Sequence, residues 1–218
     1  MAPTQQFHIA RSNLLARIPR IAHGFFSRPS RVSTHTYHSL NREYRSEDLT
    51  RDVNRHRELA ATHLGLAPSE LCGVEQIHSN TVIRIEKATE EPLPAADAIV
   101  TQQRKLGISI LTADCAPVLF ACENPLVVAA AHAGWKGALT GVLEQTVNRL
   151  TYLGAQPHEI IAAIGPCITQ DSYEVRSVFR EKFIRHAHSN EKFFVASGAR
   201  YLFDLPGFIE EQLKKNNI

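Results

Sequence analysis

Gly107-Ile108-Ser109-Ile110-Leu111-Thr112-Ala113-Asp114-Cys115-Ala116-Pro117 opens the stretch that decides the fold, and that stretch runs on to Gly141. Its apolar runs are short, at 108–111, 118–121 and 126–131, and several of their residues are β-branched. Pro117, the turn Glu123-Asn124-Pro125 and the segment Gly134-Trp135-Lys136-Gly137 punctuate them. Runs of this length bounded by Pro, Gly and Asn predict buried strands rather than helices. Cys115 and His132 each fall at the end of such a strand, where they can face one another.

Outward from this centre the pattern changes. Leu139, Val142, Leu143, Val147 and Leu150 share one side of an amphipathic helix predicted over 138–153, with Gly154 as its stop. Upstream, 71–76 leads as a strand to His78, 81–85 alternates as a half-buried strand, and 95–101 reads as another. Ser46 and an acidic first turn start a helix with Val53, Leu59, Ala60 and Leu64 on its buried face, ended by Gly65. Segments 7–9 and 21–26 read as short strands, and 27–40 as a loop. Downstream come a strand at 160–164, a helix at 177–185, a strand or turn at 201–205 and a last helix from Pro206 to Lys215. Several strands look hairpin-linked, so the expectation is a mixed sheet flanked by helices rather than a pure parallel one.

A chain of 218 residues suits one domain, placed over 1–218, with a large core. No apolar run approaches a membrane span, and the start of the chain lacks a signal-peptide pattern. The expectation is a soluble, cytoplasmic protein with no membrane partner. Cys72, Cys115, Cys122 and Cys167 form no Cys-x-x-Cys pair and read as free thiols. Net charge is +2, yet residues 1–60 hold ten arginines against five acidic residues. Without an aromatic-interleaved basic stripe this reads as a solvated basic surface, and no nucleic acid partner is expected.

His78, Cys115 and His132 are the candidate chemical groups. Two imidazoles and a thiolate fit a catalytic zinc site, which takes three protein ligands, keeps one position open and activates water there. Spread over more than fifty residues, the spacing by itself favours a plainer reading: a loop histidine, a buried cysteine and a satisfied strand-end histidine. The same residues also admit a thiolate nucleophile at Cys115 with a histidine base. Asp114 reads as a turn residue, or as an acid beside the site. Cys167 reads as a packed turn cysteine, and Trp135 as core. The glycines around Lys136 serve either a tight strand-to-helix turn or an anion.

The motifs together resemble the laccase-domain, or multicopper polyphenol oxidase-type, proteins of the YfiH group. The matching pieces include His23-Gly24-Phe25, Gln76-Ile77-His78, Ala96-Asp97-Ala98, the Thr112–Pro117 segment, the His132–Gly137 segment and Ile164-Gly165-Pro166-Cys167. Tyr173-Glu174-Val175 and Phe203-Asp204-Leu205 complete the series.

This resemblance implies an α+β fold in which mixed sheets are layered with flanking helices, as in an αββα-like sandwich. It implies a zinc-dependent purine nucleoside phosphorylase with adenosine deaminase activity. The implied substrates are adenosine, inosine, guanosine and methylthioadenosine, with phosphate. His78, Cys115 and His132 become metal ligands and catalytic residues, and Arg28, Asn41 and Lys136 substrate contacts. Asp114 and Glu75 are candidates for a general acid. Copper-dependent phenol oxidation, amide hydrolysis by Cys115 and a non-catalytic metal-stabilised domain stay open as alternatives.

The sequence departs from the family pattern at Pro29-Ser30-Arg31-Val32-Ser33 and at Arg42-Glu43-Tyr44. It also ends after the last helix, where the family continues with further strands. From this an exposed sheet edge is expected, with self-association or an exposed apolar strip beside the 160–164 strand or its neighbour, and weak or absent turnover.

Overall fold

The computed structural model describes residues 8–27, 50–89 and 92–218. In chain order the elements are β1 (Ile9–Ala10), β2 (Phe25–Phe26), α1 (Thr50–His63), β3 (Leu71–Cys72), β4 (Val82–Arg84), β5 (Ala98–Thr101) and β6 (Gly107–Ile108). The hairpin β7 (Ala116–Cys122) and β8 (Val127–Ala133) follows, then α2 (Trp135–Thr140) and α3 (Val142–Tyr152). The rest is β9 (Ile161–Ile164), β10 (Glu174–Val175), α4 (Ser177–His186), β11 (Phe194–Ser197), β12 (Arg200–Phe203) and α5 (Leu205–Lys215).

A five-stranded sheet ordered β4-β5-β8-β7-β9 organises the molecule. Its β4–β5 pair is parallel and the other pairs antiparallel, so the sheet is mixed, as the alternation of strands and hairpins predicted. Strand alternation assigns the two faces. Val118, Phe120 and Cys122 of β7 share the main core with Val127, Ala129 and Ala131 of β8. That side is covered by α3, through Val142, Leu143, Val147 and Leu150, and by Phe208 and Ile209 of α5. Leu119, Ala121 and Val128 point the other way and pack against Leu15, Ile18 and Ile21. Farther along this second face, Ile99 joins Cys72 and Ile108 of the short parallel pair β3–β6. A three-stranded antiparallel sheet, β10-β12-β11, closes the C-terminal part over a cluster of phenylalanines that includes Phe183 and Phe203.

Several elements differ from the sequence reading. The helix expected over 138–153 begins earlier, at Trp135, and breaks in two at Gly141. Gly141 has a φ of 95°, the left-handed conformation that ends a helix and that glycine adopts without a Cβ penalty. The strand read over 71–76 shrinks to Leu71–Cys72, with Glu75 in a separate bridge to Ala95. The run 108–111 contributes only its first residue to β6, because Leu111 pairs with a side chain instead (below). The predicted cap at Ser46 lies outside the described residues. Trp135 packs into the core beside Phe179, 5.0 Å between ring centroids, as read. Among the described residues, β4 and β9 are the edges of the large sheet.

Candidate metal centre

Three chain segments meet at the end of the β7–β8 hairpin, on the face away from α3. Cys115 stands just before β7, and His132 is the next-to-last residue of β8, cross-strand from Pro117. His78 sits in the turn after Gln76-Ile77 with a φ of 55°. Their potential ligand atoms all lie within 4.8 Å of one another, and the Cys115 Sγ to His78 Nε2 distance is 4.0 Å. The two imidazoles meet edge to face at 4.7 Å and 80°. A tetrahedral zinc would need ligand atoms about 3.3–3.6 Å apart, given bonds of about 2.0–2.3 Å. Adjustments of about an ångström therefore close the set. Among the described residues no other group of His, Cys, Asp and Glu converges in this way.

Close approach is built into the backbone. A Cβ on Gly134 would stand 2.9 Å from Cys115 Sγ and 3.1 Å from His78 Cδ2. One on Gly137 would stand 2.8 Å from the Ser79 carbonyl oxygen, so α2 packs directly on the His78 turn. Gln76 ties that turn to the segment before Cys115: its Nε2 donates to the Leu111 carbonyl and its Oε1 accepts from the Leu111 N–H, both at 2.7 Å.

Asp97 lies beneath the centre with no exposed surface. Its Oδ1 meets His132 Nδ1 at 2.8 Å and accepts the His78 N–H at 3.0 Å. Its Oδ2 accepts from the backbone N–H and the hydroxyl of Ser79. Burial by itself would raise the Asp97 pKa, but the hydrogen bonds from His132 and Ser79 outweigh it and hold the carboxyl below its ordinary value. Burial lowers the His132 pKa, against the opposing pull of Asp97. His132 is thus a neutral imidazole at neutral pH, and its proton on Nδ1 would leave the Nε2 lone pair for a ligand. Burial pushes the Cys115 thiol up, with the charges of Asp114 and Asp97 adding to it. Without a cation this thiol stays protonated, unlike the activated thiolate of a cysteine enzyme. A metal binding here must displace the proton, so affinity rises with pH.

The centre opens on the exposed side of His78 into a broad cleft of about 1740 Å³, also lined by Gln76, Thr112, Pro166 and the His23–Phe25 segment. This exceeds the roughly 300–1,000 Å³ of an ordinary ligand pocket, so the volume carries no substrate preference.

The other sequence candidates are spread around this centre. Glu75 is exposed and lines the cleft. Asp114 adopts a left-handed turn beside Cys115, and its carbonyl accepts from the Ile168 N–H at 2.9 Å. Cys167 immediately precedes Ile168, and its thiol pKa is raised by burial and by Asp204. Lys136 is exposed on the first turn of α2 and is not among the residues lining the cleft. Arg28 and Asn41 lie outside the described residues. Asp97 is the residue the sequence reading missed as part of the site; its only signal was membership of the Ala96-Asp97-Ala98 motif.

Residues 22–218 match the sequence profile of the multi-copper polyphenol oxidoreductase laccase family. The chain belongs to this family. It is 36% identical over 186 residues to the purine nucleoside phosphorylase YfiH of Escherichia coli, covering 84% of this chain and 73% of that one. It is 35% identical over 147 residues to a purine nucleoside phosphorylase of Rickettsia conorii, covering 66% of this chain and 60% of the relative's length. The crystal structure of Neisseria meningitidis protein NMB0706 superposes with a TM-score of 0.81 at 31% identity, over 97% of this chain and 84% of that one. The fold is thus that of the YfiH group. No helix among the described residues is long and apolar enough to cross a membrane, and all four cysteines are free.

Proposed function

We propose that this chain acts as a zinc-dependent purine nucleoside phosphorylase that also deaminates adenosine. One observation carries the reading: two imidazoles and a thiol, His78, His132 and Cys115, converge beside an open cleft. The relatives named purine nucleoside phosphorylase supply the substrate class. The donor set suits zinc with one position left open, and copper as the second choice. Zinc held there would supply a Lewis acid and activate water.

The chain's own residues do the rest. His132 offers Nε2 from a buried ring, and His78 presents its imidazole at the exposed mouth, where substrate arrives. In phosphorolysis a phosphate oxygen bonds to the ribose anomeric carbon as the bond to the purine nitrogen breaks. The electron pair leaves with the base, which takes up a proton, and the sugar passes through an oxocarbenium-like state. In deamination, water adds to the purine carbon bearing the amine, and ammonia leaves. Adenosine, inosine, guanosine and methylthioadenosine are the proposed substrates. Arg28, Asn41 and Lys136 are the proposed contacts to substrate and phosphate, and Glu75 and Asp114 the candidates for the acid. A single domain over 1–218, a cytoplasmic site of action and self-association along the edge strand β9 complete the proposal.

The test is elemental analysis of the purified protein with chromatography of nucleoside incubated with and without phosphate. Zinc near one per chain and phosphate-dependent release of free base are expected. Zinc-loaded protein that releases no base would overturn the phosphorylase reading and leave a metal-stabilised domain. Inhibition by an alkylating agent but not by a chelator would mark Cys115 as the nucleophile of an amide hydrolase. Copper with phenol oxidation would point to the oxidase.

A further inference from the structure

We propose that Asp97 is a positioning residue that assembles the metal centre in advance, by holding two of its three ligands through one carboxylate. The proposal rests on the metal-site reading of His78, Cys115 and His132 and assigns a role to a residue outside that set. Asp97 is fully buried, where an isolated carboxylate is strongly disfavoured unless its oxygens are satisfied. Here they are saturated. Oδ1 accepts from His78 N at 3.0 Å and contacts His132 Nδ1 at 2.8 Å; Oδ2 accepts from Ile77 N at 3.3 Å, Ser79 N at 2.5 Å and Ser79 Oγ at 2.8 Å. A carboxylate offers about four acceptor directions, and these five contacts occupy them.

The contacts do two different things. Three successive N–H groups, from residues 77 to 79, converge on one anion, an arrangement that a turn through a left-handed residue produces. That residue is His78, at a φ of 55°, where a non-glycine residue is strained unless its surroundings hold it. The carboxylate supplies that hold, and the resulting turn carries the His78 ring to Cys115. On the other side the same oxygen requires a proton on His132 Nδ1, because two acceptors cannot face each other at 2.8 Å. This leaves His132 Nε2 unprotonated for the metal. Residue 97 is held in place itself: its carbonyl accepts the His132 backbone N–H at 2.7 Å, and its N–H donates to the Thr81 carbonyl. Hydrogen bonds within the chain therefore hold both histidines near one another.

Asp97→Asn separates this role from simple packing. The amide keeps the shape but must place an NH2 against donors on one side or the other. Against His132 it forces the wrong tautomer; against residues 77 and 79 it breaks the turn. The experiment is Zn²⁺ titration against a competing chelator for wild type, Asp97→Asn and Ser79→Ala, with 15N NMR of the histidine rings in the metal-free protein. The expected result is a proton on Nδ1 of His132 in metal-free wild type. Zinc affinity should fall about 10–100-fold in Asp97→Asn, and by less in Ser79→Ala, which removes only one donor. Wild-type affinity in a folded Asp97→Asn protein, or a metal-free wild type with the proton on Nε2 of His132, overturns the proposal. If Asp97→Asn does not fold, the wild-type tautomer and Ser79→Ala still decide. A wild type that binds no zinc, yet shows the Nδ1 proton, refutes the metal reading and leaves the positioning by Asp97 standing.

Discussion

Replacing Gly134 by alanine perturbs the metal centre without touching a ligand. Gly134 has φ −70° and ψ 161°, which alanine adopts freely. The backbone therefore resists nothing, and the substitution gains about 0.4–1 kcal/mol through the unfolded chain. All the cost falls on side chains. The new Cβ would stand 2.9 Å from Cys115 Sγ and 3.1 Å from His78 Cδ2. Comfortable contacts begin near 3.5 Å, so Sγ must retreat by about 0.6 Å. The three ligand atoms must already close up by about an ångström to hold zinc, and a Cβ that pushes Sγ by about 0.6 Å obstructs that closure. Overpacking of this size costs about 1–3 kcal/mol, which the gain partly offsets. Metal binding should suffer more than folding does: a loss of at least tenfold in zinc affinity, or about 1.4 kcal/mol. The melting temperature of the metal-free protein should fall by no more than about 10 °C. Competition with a chromophoric chelator measures the first and calorimetry the second. A Gly134→Ala protein that competes for zinc as well as wild type would refute the geometry of the site.

Cys115→Ala should abolish metal binding and nucleoside turnover. Cys122→Ala should spare both at the cost of some core stability, since Cys122 is buried on the opposite face beside α3; metal content of the two purified variants decides. The metal-free protein should lose stability as pH falls below about 6.5, the ordinary histidine value. Folding lowers the His132 pKa, so the folded state favours the neutral ring; that contribution is present above the unfolded pKa and declines until the folded ring is also protonated. A second loss should follow below about pH 4, where Asp97, also lowered on folding, takes up its proton. Calorimetry in chelator across pH 3–8 would show both, and a flat profile between pH 7 and 5 would contradict the first. Phe183→Ala should cost about 3–5 kcal/mol in denaturant unfolding, because this ring is fully buried against Phe203, Phe194 and Phe208.

The strands were legible in the sequence for local reasons, whereas the candidate ligands stood out only through the motifs shared with the family. Alternation in β7 and β8 is a property of consecutive residues, and it predicts which face Cys122 occupies as surely as the coordinates do. Helix α5 was legible from Pro206 at its start and its apolar face. Local pattern failed where a distant group intervened. Residues 109–111 are apolar enough for a strand, but the amide of Gln76, 35 residues away, takes both hydrogen-bonding groups of Leu111. The helix after Gly137 carries one continuous apolar side, and only the backbone at Gly141 shows where it divides.

By itself the sequence determined the types of element, the two faces of the hairpin, the three candidate ligand residues and, through its motifs, the family. Tertiary structure alone decided that these three side chains converge. Asp97 is 19 residues from His78 and 35 from His132, and nothing in the residues near it says that its carboxylate is buried or what it accepts. Periodicity reports which side of an element is apolar. A buried polar group, by contrast, takes its partners from whatever the packed chain brings within hydrogen-bond reach, and that is fixed only when the sheet has formed.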